Sequence, residues 1–295
     1  MSAASLALAA HNPTALPAPI PGAPRVLTVT NTGVAAAQAV ALDPSVVLPA
    51  GTTIVGNCGG TLAPLASCTF TITPGTVATT APVTLSIQGS NTNTVTSSVQ
   101  VLAYGSVYQG GHVFAIDDAT PNTGSVGGKV AAMSNASAYW SPNADRIGGI
   151  DERSVAPCAG ARDGDCNTRA IVAHYTGLGT DSTTYAAGMC SASSADGYSD
   201  WYLPAICETG YDGRGGSSPR CGSQAAPAQQ NMLSNLFDKG VVGGPGSGFY
   251  WTSTAHATFP AEAWLQVYQP AASLQVSFPR SSMVAYLRCV RAISS

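Results

Sequence analysis

Apolar side chains recur at every second position through the first hundred residues. Phe70 and Ile72 alternate with Thr69, Thr71 and Thr73, and Val83, Leu85 and Ile87 alternate with Thr84 and Ser86. A period of two buries one face of a strand and leaves a hydroxyl-bearing face in water. The pattern predicts strands over residues 26–30, 37–42, 52–55, 68–73, 83–88 and 95–102. About six or seven short strands, spaced roughly 8–12 residues apart, imply an all-β immunoglobulin-like sandwich.

After Tyr104 the period changes. Residues 108–116 (YQGGHVFAI) read as a Gly-punctuated strand, and 167–175 and 181–190 as helices opened by Asx caps. Residues 200–212 (DWYLPAICETGYD) read as a strand end entering a helix, with Pro204 in its first turn. In 229–239, Met232, Leu233, Leu236 and Phe237 share one helical face, and Gly240 stops the helix. FYWTST (249–254), EAW (262–264) and LRCVRAI (287–293) follow as strand-like segments.

Composition places the boundary. Up to Tyr104 the only charged side chains are Arg25 and Asp43, and all 4 tryptophans lie beyond it. The expected division is 1–24 as an export remnant and Pro/Ala linker, 25–104 as the sandwich, and 105–295 as a second domain. Ser5 to Ala10 (SLALAA) looks like the tail of a signal sequence, although no basic residue precedes it. Charged residues are only 9% of the chain and the net charge is -3, which gives no footprint for nucleic acid. No apolar run approaches the ~20 residues of a membrane-spanning helix, so membrane insertion is not expected.

The 8 cysteines are Cys58, Cys68, Cys158, Cys166, Cys190, Cys207, Cys221 and Cys289. An even number without a CxxC pair favours disulfides over zinc and implies export to the cell surface or beyond. Cys58 and Cys68 are expected to close the NCGGTLAPLASC loop.

The first domain resembles the immunoglobulin-like repeats of bacterial surface proteins, in its N-T-G turn (31–33) and its C-G…L-A-P…S-C-T run. It offers no chemistry and reads as a spacer. In the second domain, G-G-x-V-F, D-W-x-L-P, a late helix, Y-W-[ST]-S-T, A-W and a closing L-R-C-V-R resemble, in that order, the Lcl C-terminal family. The resemblance covers 105–295 and implies an α+β C-type-lectin-like fold on a bacterial surface. It also implies that Cys190 pairs with Cys289, tying a helix to the last strand. Cys158–Cys166 and Cys207–Cys221 are the local choices, but six cysteines allow 15 connectivities. Trp201, Trp251 and Trp264 are expected as core pillars. Arg288 and Arg291 are expected to pair with carboxylates such as Asp200 or Glu208. Homo-oligomers are compatible with the resemblance, and the motifs do not address them.

Residues 255–286 carry the expected function. Aliphatic and aromatic residues crowd a stretch interrupted by Pro270 and Pro279, the composition of a recognition surface on loops. The stretch resembles the variable region of proteins diversified by a retroelement that randomises template adenines. An Asn AAC codon treated so can give Tyr, Phe, Leu, Val, Ser, Ala, Pro, His or Arg, but not Lys, Glu, Gln or Trp. Between Leu265 and Tyr286 there is no Lys, Glu, Trp, Asp or Asn. Gln266, Gln269 and Gln275 would then be framework, and Met283 needs another codon. The expected displayed residues are His256, Thr258, Phe259, Leu265, Val267, Leu274, Val276, Phe278, Arg280, Ser282, Val284 and Tyr286. Their chemistry favours a protein ligand over a glycan, because aromatics and Arg dominate protein hot spots. An undiversified adhesin or lectin binding host or environmental glycans is the alternative.

No catalysis is expected. Formylglycine-generating relatives use two C-terminal thiols, and only Cys289 lies in that region. None of His11, His112, His174 and His256 sits in a Ser–His–Asp pattern, and the PGSG run (245–248) lacks the Lys of a phosphate loop. No metal or other cofactor is expected: E-P-N, Q-P-D and W-N-D signatures are absent, and RDGDC (162–166) offers two carboxylates where calcium needs about six to eight oxygens.

Overall fold

The computed structural model describes residues 1–120, 124–153, 156–214, 219–241 and 243–294. Two compact units emerge. The first is Met1–Ser106 with Ile116–Gly127 and Ile293–Ser295, and the second is Val107–Ala115 with Gly128–Ala292.

The first unit is all β. Its strands are β1 (Ser5–Ala9), β2 (Arg25–Thr30), β3 (Ala37–Gln38), β4 (Ala41–Leu42), β5 (Thr53–Gly56), β6 (Thr61–Leu62), β7 (Ser67–Thr73), β8 (Val83–Gln88) and β9 (Val95–Leu102). They form sheets ordered β1-β9-β8-β4 and β2-β7-β5, with a β3-β6 pair beside them. Leu27, Phe70, Ile72, Leu85, Ile87 and Val99 fill the core from the inward face of each strand, and the Thr and Ser face stays out. Cys58 and Cys68 are bonded across the loop before β7.

The N-terminal segment corrects one boundary. Ser5–Ala9 does not lie outside the sandwich, as a division at residue 25 expects: it pairs parallel to β9 from Ser5↔Ser98 to Ala9↔Leu102. Its other edge exchanges hydrogen bonds with Gly124 and Val126. Leu6 and Leu8 enter the core. A short apolar run loses its backbone desolvation cost once both strand edges are paired, and its side chains then stabilise the sandwich by burial.

The second unit mixes sheet and helix. Its elements, with Ile116, Asp117 and Gly127 at the strand ends counted in the first unit, are β10 (Val107–Tyr108), β11 (Gly111–Asp117), β12 (Gly127–Ala132), β13 (Ala136–Ala138), α1 (Gly164–Gly177), α2 (Ala186–Ser191), α3 (Ile206–Thr209), β14 (Gly248–Ala255), β15 (Glu262–Tyr268), β16 (Leu274–Pro279), β17 (Ala285–Leu287) and β18 (Val290–Ala292). A single π turn at Leu233–Phe237 stands where a longer helix is predicted. The central sheet runs β13-β17-β14-β15-β16, and a second sheet runs β10-β11-β12-β18.

One face of the central sheet carries Trp251, Ala263, Leu265, Ala285 and Leu287, which pack with Ile171 and Tyr175 of α1 and Ala186 and Cys190 around α2. The opposite face carries Trp264 against Ile206 and the Cys207–Cys221 bridge, and Tyr268 against Tyr211 and Leu233. From Ala263 to Tyr268, β15 is therefore buried on both faces. Cys190–Cys289 ties α2 to the start of β18, and Cys158–Cys166 closes the loop into α1.

Candidate functional site

The turn between β14 and β15 holds the densest group of displayed side chains. The chain at Ile150 to Glu152 runs alongside the end of β14, with Ala255 N donating to Ile150 O at 2.9 Å. This places the Glu152 carboxylate under the turn, where its Oε2 accepts from Ala257 N at 2.7 Å and from Trp264 Nε1 at 3.1 Å. His256 stacks on the Trp264 ring, with centroids 5.1 Å apart and planes 15° apart, and Phe259 lies against His256 at 4.9 Å. The His256 Nδ1 accepts from both Thr258 N and Phe259 N at 3.1 Å, so the imidazole shapes the turn. On this base Thr258 and Phe259 face solvent, Phe259 at 56% exposure.

The neighbouring edge strand adds to the same end of the sheet. Phe278, 41% exposed, pairs with Ala263, and Pro279 pairs with Glu262, one strand from the turn. The Glu262 Oε2 accepts from Ser277 Oγ at 2.5 Å. Ser282 and Val284 are exposed on the segment that passes from β16 to β17.

Other expected members lie elsewhere. Tyr286 is exposed, but it sits in β17 beside Tyr250, at 5.4 Å between rings, and pairs with Ser137. Leu274 and Val276 are half-buried, and Val276 packs on the core from the edge strand.

Three expected display positions are corrected. Leu265 and Val267 are buried because β15 lies second from the edge with both faces covered, so neither phase of its alternation reaches water. Arg280 is 1% exposed: its guanidinium lies 4.3 Å from the Trp140 ring centre, Nη1 donates to Asp145 O at 2.6 Å, and Nε donates to Glu262 O at 3.1 Å. Burial pushes its pKa down to about 10 against the opposing pull of Tyr175 and Asp145. It anchors the crossing segment and is no ligand contact.

Trp201, Trp251 and Trp264 are buried, and each indole N–H is satisfied, by Ala195 O, Ala138 O and Glu152 respectively. Arg291 makes two bonds to Asp200, at 2.5 and 2.9 Å, and stacks on Tyr198. Among the described residues Arg288 pairs with no carboxylate: it donates to Asn135 Oδ1 at 2.7 Å and to Ala132 O, and burial lowers its pKa. Glu208 belongs to Lys129.

The RDGDC carboxylates serve α1, where Asp163 caps Cys166 N at 3.0 Å and Asp165 pairs with Arg169 at 3.1 Å. Among the described residues no three His, Cys, Asp or Glu converge as a metal ion needs. No helix among them is long and apolar enough to cross a membrane. Glu152 is the site residue that the sequence reading misses; in a chain with so few charges, an acidic residue just before the Cys158 loop is the available signal.

No family model matches the chain, and no curated protein matches it. Among solved structures, a fimbrial protein from Bacteroides ovatus ATCC 8483 aligns over 90% of this chain and 70% of that one, with 10% identity and a TM-score of 0.43. A likeness at that level carries no argument about function.

Proposed function

We propose that the chain is an exported, non-catalytic ligand-binding protein whose second unit is C-type-lectin-like and whose first unit is a spacer. The ligand is a protein, bound at the β14–β15 end, and the exposed positions there are those a retroelement diversifies. The observation that carries this proposal is the pair of solvent-facing rings, Phe259 and Phe278, beside the fixed base of His256, Trp264 and Glu152. Exposed apolar rings on a rigid base bind with little loss of conformational freedom, which is what makes aromatic hot spots effective. The turn-forming role of the His256 Nδ1 favours a structural imidazole over a general base. Four disulfides suit an oxidising compartment.

The test compares the full chain with its Phe259→Ser/Phe278→Ser double variant on arrays of purified proteins and of glycans. Protein spots bound by the parent are expected to lose their signal with the double variant, whose Tm stays within about 2 °C. Retained binding would contradict the site. In the same series, Leu265→Ala is expected to cost about 2–5 kcal/mol in denaturant unfolding, as a large-to-small change in a closed core does.

A further inference from the structure

β16 is the last strand on one side of the central sheet, with β15 as its neighbour. The pairing runs without a break from Glu262↔Pro279 to Val267↔Leu274, and just beyond it Arg280 N donates to Ala261 O at 2.9 Å. In an antiparallel pair, every second residue turns its backbone groups to the neighbouring strand. With Arg280 in a bonded pair, Phe278, Val276 and Leu274 turn theirs toward β15, while Gln275 and Ser277 turn theirs outward. Among the described residues nothing bonds the backbone N–H or C=O of Gln275 or Ser277. We infer that this edge pairs with the same edge of a second copy of the chain, joining two five-stranded sheets about a two-fold axis at Val276.

The pattern of groups selects that partner and its register. The outward groups on either side are already engaged: Ser273 O accepts from Gly213 N at 2.9 Å, and Pro279, which has no N–H, offers its carbonyl to Ser282 N at 3.3 Å. Gln275 and Ser277 therefore carry the free donors and acceptors of the strand. When Gln275 stands opposite Ser277 of the partner subunit, each donates to the other, and the two-fold repeats the exchange. Every free group is then satisfied. A slip of two residues in either direction would leave half of them unpaired.

The side chains agree with this register. Leu274, Val276 and Phe278 share the face of Leu265 and Ala263, and Gln275 and Ser277 share that of Gln266 and Trp264. Antiparallel self-pairing sets Leu274 beside the partner subunit's Phe278 and Val276 beside its own copy, apolar against apolar, and Gln275 against Ser277. β16 holds no charged residue, so two copies meet without like-charge repulsion. It also lacks the Lys, the bulge and the interior Pro that commonly protect an edge from pairing. The partner subunit's Leu274 adds an apolar side chain next to Phe278, on the surface assigned above to ligand binding; that consequence rests on the assignment, whereas the pairing does not.

The experiment is sedimentation velocity on the full, disulfide-bonded chain without ligand, from about 1 μM to 1 mM, where weak associations dissociate. A reversible monomer–dimer equilibrium is expected. Ser277→Pro removes an N–H that β15 does not use, and is expected to weaken dimerisation about tenfold or more with the fold retained. Ser277→Ala loses the hydroxyl bonded to Glu262 but keeps the N–H, and is expected to dimerise like the parent. If Ser277→Pro does not fold, hydrogen exchange of the parent decides. The Gln275 and Ser277 amides are expected to gain protection as concentration rises, and those of Val276 and Phe278, bonded to β15 throughout, to change little. Phe259→Ser, outside the strand, is expected to leave the dimer unchanged, so failure of the pairing is distinguishable from failure of ligand binding. A monomer at every concentration, a trimer, a dimer that survives Ser277→Pro, or Gln275 and Ser277 amides indifferent to concentration would each overturn the inference.

Discussion

Replacing Cys190 and Cys289 by serine should lower the stability of the second unit by about 4–5 kcal/mol, the largest single loss expected in the chain. The bridge spans a sequence separation of 99, and chain-entropy reasoning gives a closed loop of that length about 4.7 kcal/mol. The Cys158–Cys166 bridge, with a separation of 8, is expected to contribute only about 2.5 kcal/mol on the same scale. Position adds to length. Cys190 is fully buried in α2 among Ile171, Tyr175 and Leu287, so the change also places a hydroxyl among apolar side chains. Cys289 lies between Arg288 and Arg291, whose bonds to Asn135 and Asp200 hold the last strands. Denaturant unfolding of the two serine pairs, side by side, measures both losses. Equal losses would show that loop length does not govern the effect.

The second large effect concerns Glu208, and Glu208→Ala is expected to cost about 3–5 kcal/mol. The carboxylate is 1% exposed and accepts from four donors. These are Lys129 Nζ, the Tyr202 hydroxyl at 3.0 Å, Gly164 N at 3.2 Å and Ala205 N at 2.8 Å. Truncation leaves the buried Tyr202 hydroxyl and the Gly164 and Ala205 N–H groups without this acceptor. Burial raises the Tyr202 hydroxyl pKa far above its ordinary value, with Glu208 adding to the effect, so that hydroxyl stays protonated and donating. Lys129→Ala should cost less, because the Lys129 side chain is 34% exposed and the carboxylate keeps three donors. Chemical denaturation of the two variants and their combination checks this ordering. Additive losses would mean that the pair does not act as a unit.

What the sequence makes legible follows from range. Alternation in 68–73 and 83–88 marks strands because each pattern is complete within a few residues. The local bridges Cys58–Cys68, Cys158–Cys166 and Cys207–Cys221 follow from short spacing. Ser5–Ala9 is not legible as a strand, because its partners lie more than ninety residues away and a short apolar run alone matches an export signal equally well. Leu265 and Val267 read as displayed residues, since nothing within β15 reveals that α1 and α2 cover one of its faces and Ile206, Tyr211 and Leu233 the other. Arg280 follows the same logic: a charged residue in a loop reads as exposed until Trp140 and two distant carbonyls are found around it. Phe259 and Phe278 are legible as exposed side chains, but the Glu152 contact that fixes the turn before β15 is not.

Diversified display is the central claim, and its most direct test is to sequence the locus for a near-copy of the 3′ coding region adjoining a reverse transcriptase. The account predicts that such a copy exists and that its mismatches fall at adenines. They should concentrate in the codons of His256, Thr258, Phe259, Phe278, Ser282, Val284 and Tyr286 and spare those of the buried Leu265, Val267 and Arg280. The absence of a copy, or mismatches concentrated in the buried codons, would contradict diversified display and leave a fixed binding surface in its place.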